Sequence, residues 1–120
     1  MQKTFVKSKI HRATVTDADL KYNGSVTIDE ALLAASGIQP YELVHINNLS
    51  NAAHWETYVI PGTAGQIVLN GPPSRLFQKG DLVVILGMVT LSLGEQVEHK
   101  TVFVNELNEA VNVHNGIIKF

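Results

Sequence analysis

Short alternating runs, each ended within a few residues by glycine, proline, asparagine or aspartate, constrain this chain most strongly. Alternation with period two suits strands covered on one face, and frequent turn residues keep such strands short. The stretch KSKIHRATVTDADL alternates from Ile10 to Thr16, which predicts a strand over about residues 4–16, broken by Asp17, Ala18 and Asp19. A polar turn at Lys21-Tyr22-Asn23-Gly24-Ser25 leads into a short strand at Val26-Thr27-Ile28. Further strands are predicted over residues 42–48, 55–60, 66–69, 82–86 and 101–104. In the second of these, Trp55, Thr57 and Val59 share one face and Glu56, Tyr58 and Ile60 the other, with Pro61-Gly62 as its end. Residues 29–36, DEALLAAS, predict the one clear helix; Asp29 can cap it, and Gly37 suits the left-handed residue that stops it. Asn70-Gly71-Pro72-Pro73 predicts a stiff turn, since prolines cannot donate to a ladder, and a helical turn is expected near residues 74–77. The tail from Asn105 carries no clear signal. Six or seven short strands with one helix predict a mainly β fold, a small closed barrel, because closure removes exposed sheet edges.

Composition narrows what such a fold can do. A chain of 120 residues holds a single domain, residues 1–120, and one core. Hydrophobic residues make up 45% and charged residues 17%, which reads as globular and not disordered. A net charge of −2 offers neither a nucleic-acid-binding face nor a polybasic membrane patch. The absence of cysteine excludes disulfides, thiolate metal sites and cysteine nucleophiles. No apolar run approaches the roughly 18 residues of a membrane span. The start, MQKTFVKSKIHR, lacks the apolar stretch of a signal peptide, so a cytoplasmic protein is expected. The histidines at 11, 45, 54, 99 and 114 show no i,i+4 pair, and no metal is expected. No G-x-S-x-G elbow is present, which leaves a serine hydrolase without its motif.

At residues 9–28, KIHRATVTDADLKYNGSVTI, the chain resembles the pyruvoyl-dependent aspartate 1-decarboxylases. The resemblance continues through Thr57-Tyr58, Asn70-Gly71 and Gly80-Asp81 to the run Leu82 to Leu86, about the first 90 residues. Its specific points are Lys9, His11, Tyr22, Gly24-Ser25, Thr57, Tyr58 and Asn70, in order and at nearly the family's intervals. The resemblance implies a small double-psi β-barrel with one or two short helices, a homotetramer with pockets between subunits, and a cofactor made from the chain itself. Self-cleavage between Gly24 and Ser25 would leave a covalent pyruvoyl group derived from Ser25, with no metal and no pyridoxal phosphate. Whether an activating protein assists that cleavage stays open.

The implied chemistry assigns roles to named residues. The Ser25 hydroxyl attacks the Gly24 carbonyl, turning an amide into an ester; glycine there removes a Cβ and permits strained backbone angles. Thr57 aids this cleavage. Loss of the Ser25 α-proton expels the ester carboxylate, and hydrolysis of the resulting dehydroalanine gives the keto group and ammonia. The ketone takes up the substrate amine and acts as an electron sink during loss of carbon dioxide. Tyr58 returns the proton, as a phenol protonated at neutral pH can. Lys9 and His11, two apart on a strand, face the same way; Lys9 is suited to a carboxylate. His11 is open to two readings, a proton shuttle or a structural histidine. Tyr22 is expected to line the pocket. Asn70, beside Gly71, is either an amide donor or a turn residue.

Several positions depart from the family's pattern. Members usually carry an arginine three residues before Thr-Tyr, where it grips a substrate carboxylate; this chain has His54, which holds less charge and no planar fork. Asn47 stands in place of a tryptophan, Asn51-Ala52 in place of Asn-Gly, and Pro72-Pro73 in place of small residues. Arg12 and Arg75 are candidates to compensate for His54. The reaction implied is L-aspartate to β-alanine and carbon dioxide, for pantothenate synthesis. A different small amino acid is the alternative that His54 and Asn47 motivate, and an uncleaved, non-enzymatic binding barrel is the alternative of another class.

Overall fold

The computed structural model describes residues 1–21 and 23–120. Its strands are β1 (Gln2–Thr14), β2 (Asp17–Asp19), β3 (Ser25–Asp29), β4 (Leu43–Asn48), β5 (His54–Gly62), β6 (Ile67–Asn70), β7 (Leu82–Ser92), β8 (Gln96–Val104) and β9 (Ala110–Lys119). The single α-helix among the described residues, α1, spans Glu30–Ser36, and a 3-10 turn spans Pro72–Arg75. The fold is mainly β, as the alternation predicts. Asp29 caps α1 by accepting from the Ala31 N–H at 2.8 Å, and Gly37 ends it at φ 78°. Among the described residues no helix is long and apolar enough to cross a membrane.

The strands pair in the order β2-β6-β3-β5-β4-β7-β1-β8-β9. That ladder is open, but the chain rolls it up. Thr16, two residues past β1, donates its N–H to the Ile67 carbonyl of β6 at 2.8 Å. The Thr16 hydroxyl also accepts from the Ile67 N–H at 3.0 Å. Strands β1, β7, β4, β5, β3 and β6 therefore form a ring, the arrangement of a small β-barrel. Its interior is filled by Ile10, Val26, Ile28, Val44, Ile46, Val59, Ile67, Leu69, Val83 and Ile85, each 0% exposed. The β8–β9 hairpin lies outside the ring, with β8 parallel to β1.

Four local expectations change. Asp17-Ala18-Asp19 is not a break but β2, paired in parallel with Val68–Asn70; the chain swaps partners there without leaving the sheet. Strand β5 runs on through Pro61-Gly62 because those residues have only β3 beside them, so the missing N–H interrupts no second ladder. The helical turn starts at Pro72 and not at residue 74, since proline suits the first position of a helical turn. The apolar run at 82–86 continues through Gly87 to Ser92, where a Cβ on Gly87 would meet Glu42, Ser8 and Ile38 at 3.0, 3.2 and 3.3 Å. The tail adds β9, so the strand count exceeds the six or seven predicted.

Candidate active site

Strand β3 starts at Ser25, and its alternation sends Val26 and Ile28 into the barrel and Ser25 and Thr27 to the outer side. Ser25 is nevertheless 0% exposed. Antiparallel pairing with β6 puts Asn70 directly opposite it. The Asn70 side-chain amide donates to Ser25 Oγ and to Thr27 Oγ1, each at 3.0 Å. Ser25 Oγ itself points its hydrogen along a long 3.4 Å contact to the Asn23 carbonyl. A buried hydroxyl that accepts from the Asn70 amide is held in place, with its orientation set by β6 and not by solvent. Asn70 thus ends β6 with its amide on Ser25, and Gly71 makes the turn directly after it.

Gly24 leaves the backbone beside Ser25 open on one side. It is not among the glycines at positive φ, and among the described residues a Cβ there would touch only Pro72 Cδ at an ordinary 3.6 Å. Pro72 instead forms a wall beside the Gly24–Ser25 bond. Gly71, at φ 78°, turns the chain into that wall, and its N–H is already bonded to the Asp19 carbonyl at 2.7 Å.

Parallel pairing of β3 with β5 matches Val26 to Val59. Carrying that register back places Ser25 beside Tyr58 and Gly24 beside Thr57. Thr57 is buried and faces inward; Tyr58 is half-buried on the outer side, as the alternation predicts. The Tyr58 ring stacks on Tyr41, centroids 6.2 Å apart and 18° between planes. Tyr41 and Thr27 are the site neighbours that sequence reasoning missed. Thr27 was signalled by its spacing of two from Ser25; an exposed aromatic after Pro40 was the only mark of Tyr41.

Lys9 and His11 share the outer side of β1, as expected. The ring order puts β1 three strands from β5 in either direction, so these two side chains face away from Tyr58. His11 packs edge-on to Phe103 at 5.5 Å, and its Nδ1 is buried with no hydrogen-bond partner among the described residues. Burial lowers its pKa below the usual histidine value, and the charges of Lys9 and Arg12 lower it further. His11 is therefore not a fully satisfied structural histidine. Tyr22 lies outside the described residues.

His54 and Asn47, two of the departures, are cross-strand partners. His54 Nδ1 and Asn47 Oδ1 are 2.7 Å apart. The two changes form one unit. Among the described residues neither Arg12 nor Arg75 bonds to His54. Strand pairing also gathers His45 and Glu56 beside His54, a grouping invisible in the linear spacing of the histidines.

A family model described as aspartate decarboxylase matches residues 1–111. The chain belongs to the aspartate decarboxylase family. It is 47% identical over 116 residues to the aspartate 1-decarboxylase of Dehalococcoides mccartyi, covering 93% of this chain and 94% of that protein. It is 50% identical over 117 residues to that of Desulfitobacterium hafniense, covering 94% and 92%. It is 51% identical over 114 residues to that of Carboxydothermus hydrogenoformans, covering 92% and 90%. Within this aspartate decarboxylase family chain, Ser25 and Tyr58 lie apart from the groove beside α1. That groove, of about 1160 Å³, runs past Asp29, Gly62, Gln66 and Asn108 but includes neither Ser25 nor Tyr58. What one chain presents is a buried hydroxyl beside an outward-facing phenol, with Lys9 and His11 on the far side.

Proposed function

We infer that this chain is a carboxy-lyase that converts L-aspartate to β-alanine and carbon dioxide, using a group made from its own Ser25. The observation that carries the reading is the Asn70 amide on the buried Ser25 hydroxyl, directly after Gly24, in a chain of this family. The residues fit such a group: a serine held in place, a glycine before it and a wall at Pro72. Asn70 orients Ser25 Oγ for attack on the Gly24 carbonyl, and Thr57, beside Gly24 in register, supplies a hydroxyl for the oxygen that gains charge. When formed, the pyruvoyl ketone supplies an electron sink for loss of the substrate carboxylate. Tyr58 is the outward-facing acid next to residue 25 and delivers a proton to the carbon that has lost carbon dioxide.

Lys9 and His11 lie on β1, three strands around the ring from β5. We propose that a second copy brings them there, so that the substrate is held between protomers of a homotetramer, in the cytoplasm, on the route to pantothenate. Lys9 then offers its cation to the carboxylate that is kept. The His11 Nδ1, buried without a partner, gains one from the substrate or the neighbouring protomer.

The test is intact mass after prolonged warming, followed by carbon dioxide release from L-aspartate and a panel of other amino acids. The reading expects a fragment of residues 1–24, and a larger one whose first residue ends in a carbonyl. An unsplit chain would return the barrel to a binding role. A split chain that ignores aspartate and turns over another amino acid would reject aspartate alone, in favour of the substrate change that His54 and Asn47 motivate.

A further inference from the structure

We propose that His45, His54 and Glu56 form a binding site for a divalent transition-metal ion, with zinc the best match. His45 on β4 stands directly opposite Glu56 on β5, and Asn47 opposite His54, all on the outer side of the barrel. His45 Nε2 lies 3.6 Å from one Glu56 oxygen and His54 Nε2 lies 3.5 Å from the other. One ligand atom from each of the three falls within 4.8 Å of the others. Ligand atoms at zinc bonding distance in a tetrahedral shell lie about 3.4 Å from one another. Each nitrogen-to-oxygen separation is close to one edge of such a shell, and because the two run to different Glu56 oxygens, a single ion between both histidines requires a small rotation of the exposed Glu56 carboxylate and no rebuilding of the backbone.

A second observation concerns the proton on His54. Asn47 Oδ1 is an acceptor, and His54 Nδ1, 2.7 Å away, pairs with it as donor in the tautomer that leaves Nε2 unprotonated. In the neutral ring Nε2 then carries a lone pair, aimed at a carboxylate oxygen that also carries lone pairs. Two acceptors 3.5 Å apart are joined by a cation between them, either a proton on Nε2 or a metal ion. A metal ion meets that need, and Asn47 is the outer hydrogen-bond partner that fixes the ring of a metal-ligating histidine. Two imidazoles and one carboxylate favour zinc, copper, nickel or iron over the oxygen-seeking magnesium and calcium. Three protein ligands leave at least one coordination position open, as in catalytic rather than structural metal sites. That position lies on the same side of β5 as Tyr58, two residues along the strand. The inference does not depend on the reading of Ser25.

The experiment titrates Co²⁺ into the full-length Ser25→Ala chain, follows its visible absorption, and then displaces it with Zn²⁺; the result is thus independent of self-cleavage. One Co²⁺ per chain is expected, displaced by Zn²⁺ and not by Mg²⁺. His45→Ala, His54→Ala and Glu56→Gln should each abolish the signal, while Asn47→Ala should weaken binding about tenfold. His114→Ala should leave it unchanged. Circular dichroism of each variant confirms that the barrel is intact, since these side chains are partly or fully exposed. No Co²⁺ signal, or one that survives all three ligand variants, would overturn the proposal and leave a protonated histidine–glutamate contact in its place.

Discussion

Asn70 is the residue on which the arrangement of Ser25 depends. Its amide makes two hydrogen bonds at 3.0 Å, to the hydroxyls of Ser25 and Thr27. Truncation removes both and leaves the Ser25 hydroxyl free to rotate. With roughly 0.5–1.5 kcal/mol for each such bond, Asn70→Ala should slow cleavage about tenfold, read as the rate at which the two fragments appear on a denaturing gel. Asn70→Asp, which reverses the amide's donor to an acceptor, should be worse. His11 makes a different prediction. Its folded pKa is lowered, so the unfolded chain takes up a proton before the folded one does. The stability that goes with its neutral form is whole above about pH 6.5 and is lost as pH falls from there through the folded value. Urea titrations at pH 7.5, 6.5 and 5.5 should show this decline, and His11→Gln should flatten it.

Among the elements, the β4–β5 connection holds a correctable strain. Ala52 sits at φ 64°, a conformation that costs a residue with a Cβ about 1–2 kcal/mol. Glycine would relieve that cost while adding about 0.4–1 kcal/mol of unfolded-chain freedom. Ala52→Gly should therefore stabilise the protein by about 0.5–1 kcal/mol, seen as a higher urea midpoint at unchanged slope. The loop before β9 has the opposite character. Asn108 is 1% exposed. It accepts from the Thr14 N–H at 2.7 Å and donates to the carbonyls of Thr14 and Gly65 at 2.8 and 2.9 Å. It ties the tail to the end of β1, where the barrel closes. Asn108→Ala should destabilise by about 2–3 kcal/mol, because three partly buried backbone groups lose their partners.

The whole molecule places Lys9 and His11 three strands around the ring from Tyr58, and this yields a prediction about pairs of chains. If the substrate site lies between protomers, Lys9→Ala and Ser25→Ala damage different halves of it. Each variant alone should be nearly inactive. Co-expressed, they should regain measurable decarboxylation, since some interfaces then join an intact Lys9 to an intact Ser25. Recovery would appear as carbon dioxide release; none at all, with mixed assemblies present by mass, would place all the residues in one chain's site. Exposed apolar side chains at Tyr41, Leu43, Leu107, Val111 and Ile117 provide surface for such contacts.

The linear order of residues was enough to set the mainly β fold, the α1 cap, and the alternation that turns Thr57 inward and Tyr58 outward. These follow from local rules of period, propensity and capping, which act over a few neighbours. The motif around Gly24-Ser25 likewise lay within one short stretch. What linear order left undecided needed partners far apart in the chain. Asp17–Asp19 became a strand only because β6 was there to pair with it, and β9 formed only because β8 offered an edge. The Asn70–Ser25 contact, the joining of His54 to Asn47 and the grouping of His45 with Glu56 all arise from strand register. The separation of Lys9 from Tyr58 arises from ring closure. Register and closure are set by how side chains pack across the whole barrel, and a window of neighbouring residues does not contain that information.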